Sequence, residues 1–395
     1  MSTEQLAPLR LPAAHQRLRA EALALAGEFS ARHREIRLHG LQRGEVHPEL
    51  WREITSRGWS GLLLGEDHGE GGLLAYVVVL EALAEGNLIL WMAVLSAAIA
   101  YAIAQVGPDT ARARWLEPVA AGESFLALAV TEPGVGHNVF RSQTTVRRDG
   151  EGFVLDGVKA VTSGIEQCER VLVLGSVPGE REHGAPRQYT TVLVDPNWPG
   201  VQRTELPMRG REGVRQWQLQ FKEVKVAADA LVGVEGQGLL TLWPFTHIER
   251  ILTGALAVGN AQYCLARAVG YARERTVFGD RPIGAEQAIG HPLARLHARI
   301  QASALLVHRA AAGFDAGADQ LAIAGEANMA KLLGAEVLFD AADQLVQTLG
   351  ASAFDEREGI LDLFLDARLA RSAPVSQELA LNFIAQHVLG LPSHR

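Results

Sequence analysis

ALAVTEPGVGHNVFRSQTT, residues Ala127 to Thr145, is the stretch at which the sequence changes from a helical to a strand-like pattern. Gly134 and Gly136 allow the backbone to approach a ligand closely, and Thr131 places a hydroxyl beside exposed amides. The same residues also fit a glycine-rich corner turn without a ligand, because pairs of glycines are common. The regions on either side therefore indicate what this stretch connects.

The residues before it read as helical, and we predict an N-terminal α-helical domain over residues 1–124. The segment AAHQRLRAEALALAGEFSARHREI repeats apolar residues near spacings of three and four, and in HPELWREITSRGW Pro48 suits a first helical turn. The most apolar segment, LILWMAVLSAAIAYAIAQV, carries Ser96, Tyr101 and Gln105. It therefore predicts a buried core helix and no membrane span.

The residues after it alternate apolar and polar side chains, and we predict a middle β domain over residues 125–235. SQTTVRRDGEGFVLDGVKAV reads as a hairpin around RRDGEG, and RVLVLGSV, YTTVLVDP and WQLQFKEVKV are further strand candidates. A small sheet sandwich or barrel is the expected form. Residues 236–395 are helical again, with long periodic segments at 239–273, 284–313, 319–349 and 376–388 that predict an antiparallel bundle.

The composition limits the classes of function. The chain has 395 residues, 48% of them hydrophobic, and a net charge of −8, which argues against a nucleic-acid-binding surface. Cys168 and Cys264 give neither a disulfide framework nor a metal-ligand spacing. The N-terminus lacks the basic-then-apolar order of a signal peptide, so we expect a cytoplasmic protein.

Several ordered motifs together carry a family resemblance. AVTEPGVG resembles the flavin-binding signature of the acyl-CoA dehydrogenase family, and GEGFVLDGVKAVTSG, YARERTVFGDRPIG and ADQLVQTLGASAF resemble later family segments. Their order and spacing match from about residue 15 to residue 390. The resemblance implies an α+β protein with the family fold: an N-terminal all-α domain, a middle β-sheet domain and a C-terminal four-helix bundle. It also implies FAD, an acyl-CoA substrate, electron-transfer flavoprotein as acceptor, a homodimer or homotetramer, and a role in fatty acid metabolism.

The resemblance further assigns cofactor-binding positions. Those implied near the flavin ring are Leu128, Val130, Thr131, Gly136, His137, Val161 and Ser163. Those implied on the adenosine side are Gln287, Gln347 and Gly350, and Phe278, Ser376 and Glu378 are further implied cofactor contacts. Arg275 matches an arginine that grips the cofactor pyrophosphate of a neighbouring subunit, a task that suits a bidentate guanidinium. His137 and Arg250 are also implied on the substrate side. His137, Asn138 and Ala351 depart from the usual Ser, Asp and Gly of the family.

The catalytic base is the point at which this sequence departs most from many relatives. In those relatives a late carboxylate removes the α-proton, but here Pro374 in RSAPVSQE occupies that position. IERI, residues Ile248 to Ile251, resembles the base-bearing segment of the isovaleryl-type and long-chain-type branches, which implies that Glu249 is the base. An apolar acyl pocket would desolvate this carboxylate and raise its pKa. The alternative is that Glu249 and Arg250 form structural ion pairs, whereas His247 reads as a packed polar residue.

Two other functions remain compatible with these residues. One is a flavin monooxygenase or thioester desulfinase of the same superfamily, because such relatives often lack the late acid. The other is a non-catalytic flavin-binding homologue, which the departures at His137 and Ala351 would suit.

Overall fold

The computed structural model describes residues 11–64, 71–179, 187–210, 213–277 and 279–393. Helices come first, a sheet follows, and helices return. The first helices are α1 (Ala13–Phe29), α2 (His33–Arg43), α3 (Pro48–Ser56), α4 (Leu73–Glu85), α5 (Trp91–Val106) and α6 (Asp109–Ala120). The strands are β1 (Phe125–Ala129), β2 (Thr145–Asp149), β3 (Gly152–Ser163), β4 (Cys168–Ser176), β5 (Tyr189–Val194), β6 (Val201–Leu206), β7 (Gln216–Val226) and β8 (Leu231–Val232). The last helices are α7 (Gly238–Thr241), α8 (Trp243–Glu274), α9 (Gln287–Asp315), α10 (Gln320–Leu349), α11 (Ile360–Ala370) and α12 (Gln377–Phe383).

Two of the early helices are buried on nearly every side. Nearly all residues of α4 and α5 are buried, which confirms that the LILWMAVLSAAIAYAIAQV segment forms a core helix. Pro48 stands in the first turn of α3, as its fixed φ favours. In the described part of the chain, we find no helix with both the length and the apolarity that a membrane crossing requires.

The strands form one hydrogen-bonded sheet in the order β6-β7-β3-β2-β4-β5-β8, and β1 pairs with β4 in parallel. The predicted hairpin is confirmed as β2 and β3, which are antiparallel around Gly150. Among the described residues the pairing path ends at β6 and β8, so the sheet is open. The middle β-sheet domain is confirmed, and its described strands do not close into a barrel. The expected sandwich stays a prediction, because alternation identifies strands without showing how they pack.

One edge of β4 is shared by two strands. β1 lies along residues 168–173 of β4, whereas β2 reaches β4 only through Thr145 and Ser176. On the other side β2 covers the first half of β3, and the chain that leaves β1 hydrogen-bonds to its second half. The turn after β1 is therefore held against the end of β3.

The four helical segments predicted in the last region are present with shifted ends. The first is broken at Leu242 into α7 and α8, the second begins at Gln287, and the fourth continues from α12 into a π-helical turn, Ile384–Val388. Sequence periodicity missed α11, as well as the strands β1, β6 and β8. Within the bundle α9 packs on α10, and α10 also packs on α11 and α12.

Contacts divide the chain into two compact units. One comprises Met1–His33, Asp67–Ile89 and Arg250–Arg395, and the other comprises Arg34–Glu66 and Leu90–Glu249. The first contains α1, α4 and the later helices, and the second contains the sheet with α2, α3, α5 and α6. The division falls inside α8, between Glu249 and Arg250. The bounds of the three domains expected from the sequence stay a prediction.

Candidate active site

The segment after β1 is fixed to β3 by two hydrogen bonds. Lys159 Nζ donates to the Val130 carbonyl at 2.9 Å, and the Ala160 N–H donates to the Thr131 carbonyl at 2.8 Å. Val161 is the next residue along β3 after Ala160. The structure thus brings together Val130, Thr131 and Val161, three of the positions that the sequence assigned to the flavin ring. Leu128, still within β1, is paired with Leu172 of β4.

A buried ion pair lies under this segment. Lys159 Nζ is 2.8 Å from Glu132 Oε1, and the carboxylate also accepts hydrogen bonds from the Ser142 hydroxyl, the Gln143 N–H at 2.6 Å and the Thr144 N–H at 3.0 Å. Burial alone would raise the pKa of Glu132, but the donors outweigh it and lower this pKa to about 2. Burial lowers the pKa of Lys159, and the partner carboxylate opposes that shift.

Sequence reasoning missed this pair. A partial signal was present, because Glu132 is the one Asp, Glu, Lys or Arg between Phe125 and Phe140, and Lys159 stands beside apolar residues in the strand pattern GVKAV. A charged side chain in such a place is rarely fully buried unless it is paired. What could not be read from the sequence is that the two charges meet.

The glycine turn is open on its outer side. Gly134 and Gly136 have φ values of 72° and 57°, and a Cβ at either position would meet nothing within 4 Å. Gly136 and His137 are exposed, whereas Thr131 is half-buried. An open turn, a half-buried hydroxyl and backbone groups held in place by β3 fit a planar cofactor such as a flavin.

The end of β3 is irregular at the predicted flavin site. Val161 has a φ of 55°, which is a strained conformation for a β-branched residue, and the pairing with β7 shifts register between Lys159 and Thr162. The Ser163 hydroxyl donates to Gln216 Oε1 at 3.0 Å. Gln216 was not foreseen, and it fixes the orientation of the serine side chain.

Helix α8 carries the candidate base. Glu249 and Arg250 are half-buried, while the neighbouring Phe245, Ile248 and Ile251 are fully buried. A carboxylate on this part of the helix therefore borders the apolar face and is only partly open to solvent. That its pKa is raised there stays a prediction.

His247 has the packing role that the sequence favoured. It is fully buried, and its ring stacks edge-on against Trp243 one turn earlier, with 4.8 Å between the ring centroids. No part of the proposed chemistry requires it.

The described positions implied for the pyrophosphate and the adenosine lie at the surface of the unit that contains α9 and α10. Arg275 directly follows α8, and its carbonyl accepts the Ile283 N–H at 2.8 Å, which closes the loop between α8 and α9. Exposed positions are Arg275, Gln287, Gln347 and Gly350. Phe278 lies outside the described residues. These positions belong to one contact unit, whereas the residues assigned to the flavin ring from β1 to β3 belong to the other.

The segment around Pro374 has no carboxylate at the late-acid position. The carbonyl of Val375 accepts a hydrogen bond from Lys331, a fully buried lysine of α10 that sequence reasoning missed. Ser376 begins α12 and accepts the Leu379 N–H at 3.3 Å as its N-cap. Glu378 is exposed in the first turn, where its own backbone N–H lowers its pKa.

Comparisons with known proteins find relatives along most of the chain. Family models of the N-terminal, middle and C-terminal domains of acyl-CoA dehydrogenases match residues 12–123, 127–224 and 236–389. The acyl-CoA dehydrogenase FadE12 of Mycobacterium tuberculosis is 38% identical over 91% of this chain and 92% of its own length. The 3-(aryl)acrylate reductase of Clostridium sporogenes is 28% identical over 87% of this chain and 91% of its own.

A solved structure shows the same fold. Butyryl-CoA dehydrogenase from Megasphaera elsdenii superposes with a TM-score of 0.84 at 23% sequence identity, covering 97% of this chain and all of the other. With the glycine turn held on β3 and the three-part order of elements, these matches identify the chain as a member of the acyl-CoA dehydrogenase family, a flavoprotein oxidoreductase that uses FAD and acts on CH–CH groups.

Proposed function

We propose that this enzyme oxidises a saturated acyl-CoA thioester to the 2-enoyl-CoA, with Glu249 as the base that removes the α-proton. One observation carries the assignment of the base: Pro374 occupies the late-acid position, while a half-buried carboxylate stands on α8 at the alternative position. A proline can neither accept the proton nor donate a backbone N–H to the thioester oxygen.

The proposed reaction needs a hydride acceptor, a base for the α-proton and groups that position the flavin ring. Bound FAD supplies the hydride acceptor. The Glu249 carboxylate accepts the α-proton, and its partial burial would favour a pKa suited to a base. The backbone of Val130 and Thr131 would hold the flavin ring beside Val161, and the Ser163 hydroxyl would stand near its hydride-accepting side. Arg250 and His137 are proposed on the substrate side.

The exposed positions on the helical unit support a shared cofactor. Arg275, Gln287, Gln347 and Gly350 all face solvent in one chain, as expected if they meet the FAD of a neighbouring subunit. A homodimer or homotetramer follows from this proposal. We further propose Phe278 and the α12 residues Ser376 and Glu378 as cofactor contacts, electron-transfer flavoprotein as acceptor, a cytoplasmic location and a role in fatty acid metabolism.

The proposal stops at the class of substrate. The similar proteins carry names for different reactants, so no acyl group is transferred to this chain by likeness. Pro374 also favours a second candidate, an oxygen-dependent monooxygenase or desulfinase on the same fold, because that chemistry needs no late acid.

Anaerobic mixing of the FAD-loaded protein with a panel of acyl-CoAs tests the proposal. Bleaching of the oxidised flavin with formation of enoyl-CoA is expected, whereas turnover that requires oxygen and added reduced flavin would support the second candidate. Glu249→Gln should retain FAD and slow flavin reduction by several orders of magnitude, because the α-proton then has no acceptor. Glu274→Gln, at an exposed carboxylate of the same helix, should reduce its flavin at the parent rate. Reduction of Glu249→Gln at the parent rate would remove Glu249 from the mechanism.

A further inference from the structure

Glu132 and Lys159 form an ion pair that has no direct part in proton or hydride transfer. The lysine and glutamate side chains are 0% and 4% exposed. Charges buried away from solvent interact with neighbouring groups much more strongly than charges at the surface, because little water screens them. The pair can therefore influence any redox group bound next to it.

The lysine also contacts the backbone at a specific peptide group. Its Nζ donates to the Val130 carbonyl oxygen at 2.9 Å, and that carbonyl belongs to the same peptide group as the Thr131 N–H. A cation on the oxygen draws electron density from the peptide group, which makes its N–H a stronger hydrogen-bond donor. The Glu132 carboxylate, 2.8 Å from Nζ, offsets part of the positive charge of the lysine and so weakens this polarisation.

We propose that the Glu132–Lys159 pair sets the reduction potential of the bound flavin by polarising the peptide between Val130 and Thr131. This inference rests on the proposed placement of the flavin ring beside these two residues. Reduction places negative charge on the flavin, and a stronger donor together with a nearby cation stabilises the reduced form. Lys159 therefore favours reduction and Glu132 opposes it, so the two residues act with opposite sign.

The opposite signs separate this role from a structural one. In Lys159→Met the Glu132 carboxylate keeps three donors, namely the Ser142 hydroxyl and the N–H groups of Gln143 and Thr144. In Glu132→Gln the cation remains and the anion is removed. Lys159→Arg keeps the positive charge and serves as the matched control.

The measurement is the midpoint potential of bound FAD, determined against a reference dye under anaerobic conditions. A separate reducing enzyme delivers the electrons slowly to both the flavin and the dye, and no acyl-CoA is present. Lys159→Met should make two-electron reduction about tenfold less favourable, a shift of roughly 30 mV to more negative potential. Glu132→Gln should shift the potential in the positive direction, and Lys159→Arg should stay near the parent value. The affinity for FAD, from the quenching of flavin fluorescence, is recorded for each variant.

The proposal would be overturned if Lys159→Met and Glu132→Gln shifted the midpoint potential in the same direction. It would also be overturned if both variants bound FAD and kept the parent potential. If Lys159→Met does not bind FAD, Glu132→Gln decides alone, and a potential at or below the parent value rejects the idea. Loss of FAD from both variants also counts against it, since the pair would then only hold the fold. Because no acyl-CoA is present, failure of the Glu249 assignment shows separately in the flavin-reduction assay.

Discussion

Gly254 of α8 lies against the backbone of Ala330 of α10. A Cβ on Gly254 would stand 2.9 Å from the Ala330 carbonyl oxygen, and a Cβ on Gly334 would stand 3.0 Å from the carbonyl of Gly254. Two helices can approach this closely only where the residues in contact have no side chain or a very small one. The contact fixes α8 five residues beyond Glu249, so it bears on the position of the proposed base.

The first prediction concerns this contact. Gly254→Ala should lower the free energy of unfolding by about 1–3 kcal/mol, because the added methyl forces α8 and α10 apart. Gly270→Ala is the matched control on the same helix, where a Cβ would meet nothing within 4 Å. The control should be neutral or up to about 1 kcal/mol more stable, since alanine favours a helix. Urea unfolding measures both, and equal stability of the two variants would refute a tight contact.

The second prediction is a pH dependence that arises at Glu85. Burial raises the pKa of this carboxyl to about 7, although Arg19 lowers it by charge and hydrogen bonding. A carboxyl whose pKa is raised in the folded state contributes its full stabilisation at pH values below its pKa in the unfolded chain, near 4.5. That contribution is lost as the pH rises through the folded-state pKa of about 7. Glu85→Gln should therefore gain stability over the parent between pH 5.5 and pH 8, by about 1–3 kcal/mol.

Thermal or urea unfolding at the two pH values checks this. Glu21→Gln, at an exposed position of α1, should follow the parent at both. A difference between Glu85→Gln and the parent that is the same at pH 5.5 and pH 8 would contradict the raised pKa.

The third prediction concerns a cap supplied from a distant part of the chain. The carboxylate of Asp315, at the end of α9, accepts the N–H groups of Leu73 at 2.7 Å and Leu74 at 2.9 Å, the first two residues of α4. Asp315→Ala leaves these helix N–H groups without their acceptor and should cost about 1–2 kcal/mol. Asp343→Ala, at an exposed position of α10, should change stability by less than about 0.5 kcal/mol. Equal effects of the two changes in urea unfolding would argue against the cap.

The fourth prediction uses the strained backbone at Val161. Glycine adopts a φ of 55° without the steric cost that valine bears, so Val161→Gly should be neutral or stabilising. Val158→Gly, also half-buried on β3, should cost about 1 kcal/mol because it weakens a regular strand. If Val161→Gly destabilises as much as Val158→Gly in thermal unfolding, the conformation of Val161 carries no strain.

Local spacing predicted much of this protein. A nearly continuous apolar run located α5, and periodicity located the long helices α8, α9 and α10. Alternation around RRDGEG located the hairpin of β2 and β3. These features need only neighbouring residues, so their signals survive in the linear text. The absence of an acid at Pro374 and the carboxylate of Glu249 were also visible in the sequence.

The tertiary structure decided which distant residues meet. Lys159 reaches Glu132 across 27 positions and Ser163 reaches Gln216 across 53, and neither partner is marked by a local pattern. Strand pairing likewise decided that β1 and β2 share one edge of β4. Periodicity shows which face of an element is apolar. A buried charge loses its hydration and needs a partner of opposite charge to offset that cost, and only the folded chain brings such a partner within reach.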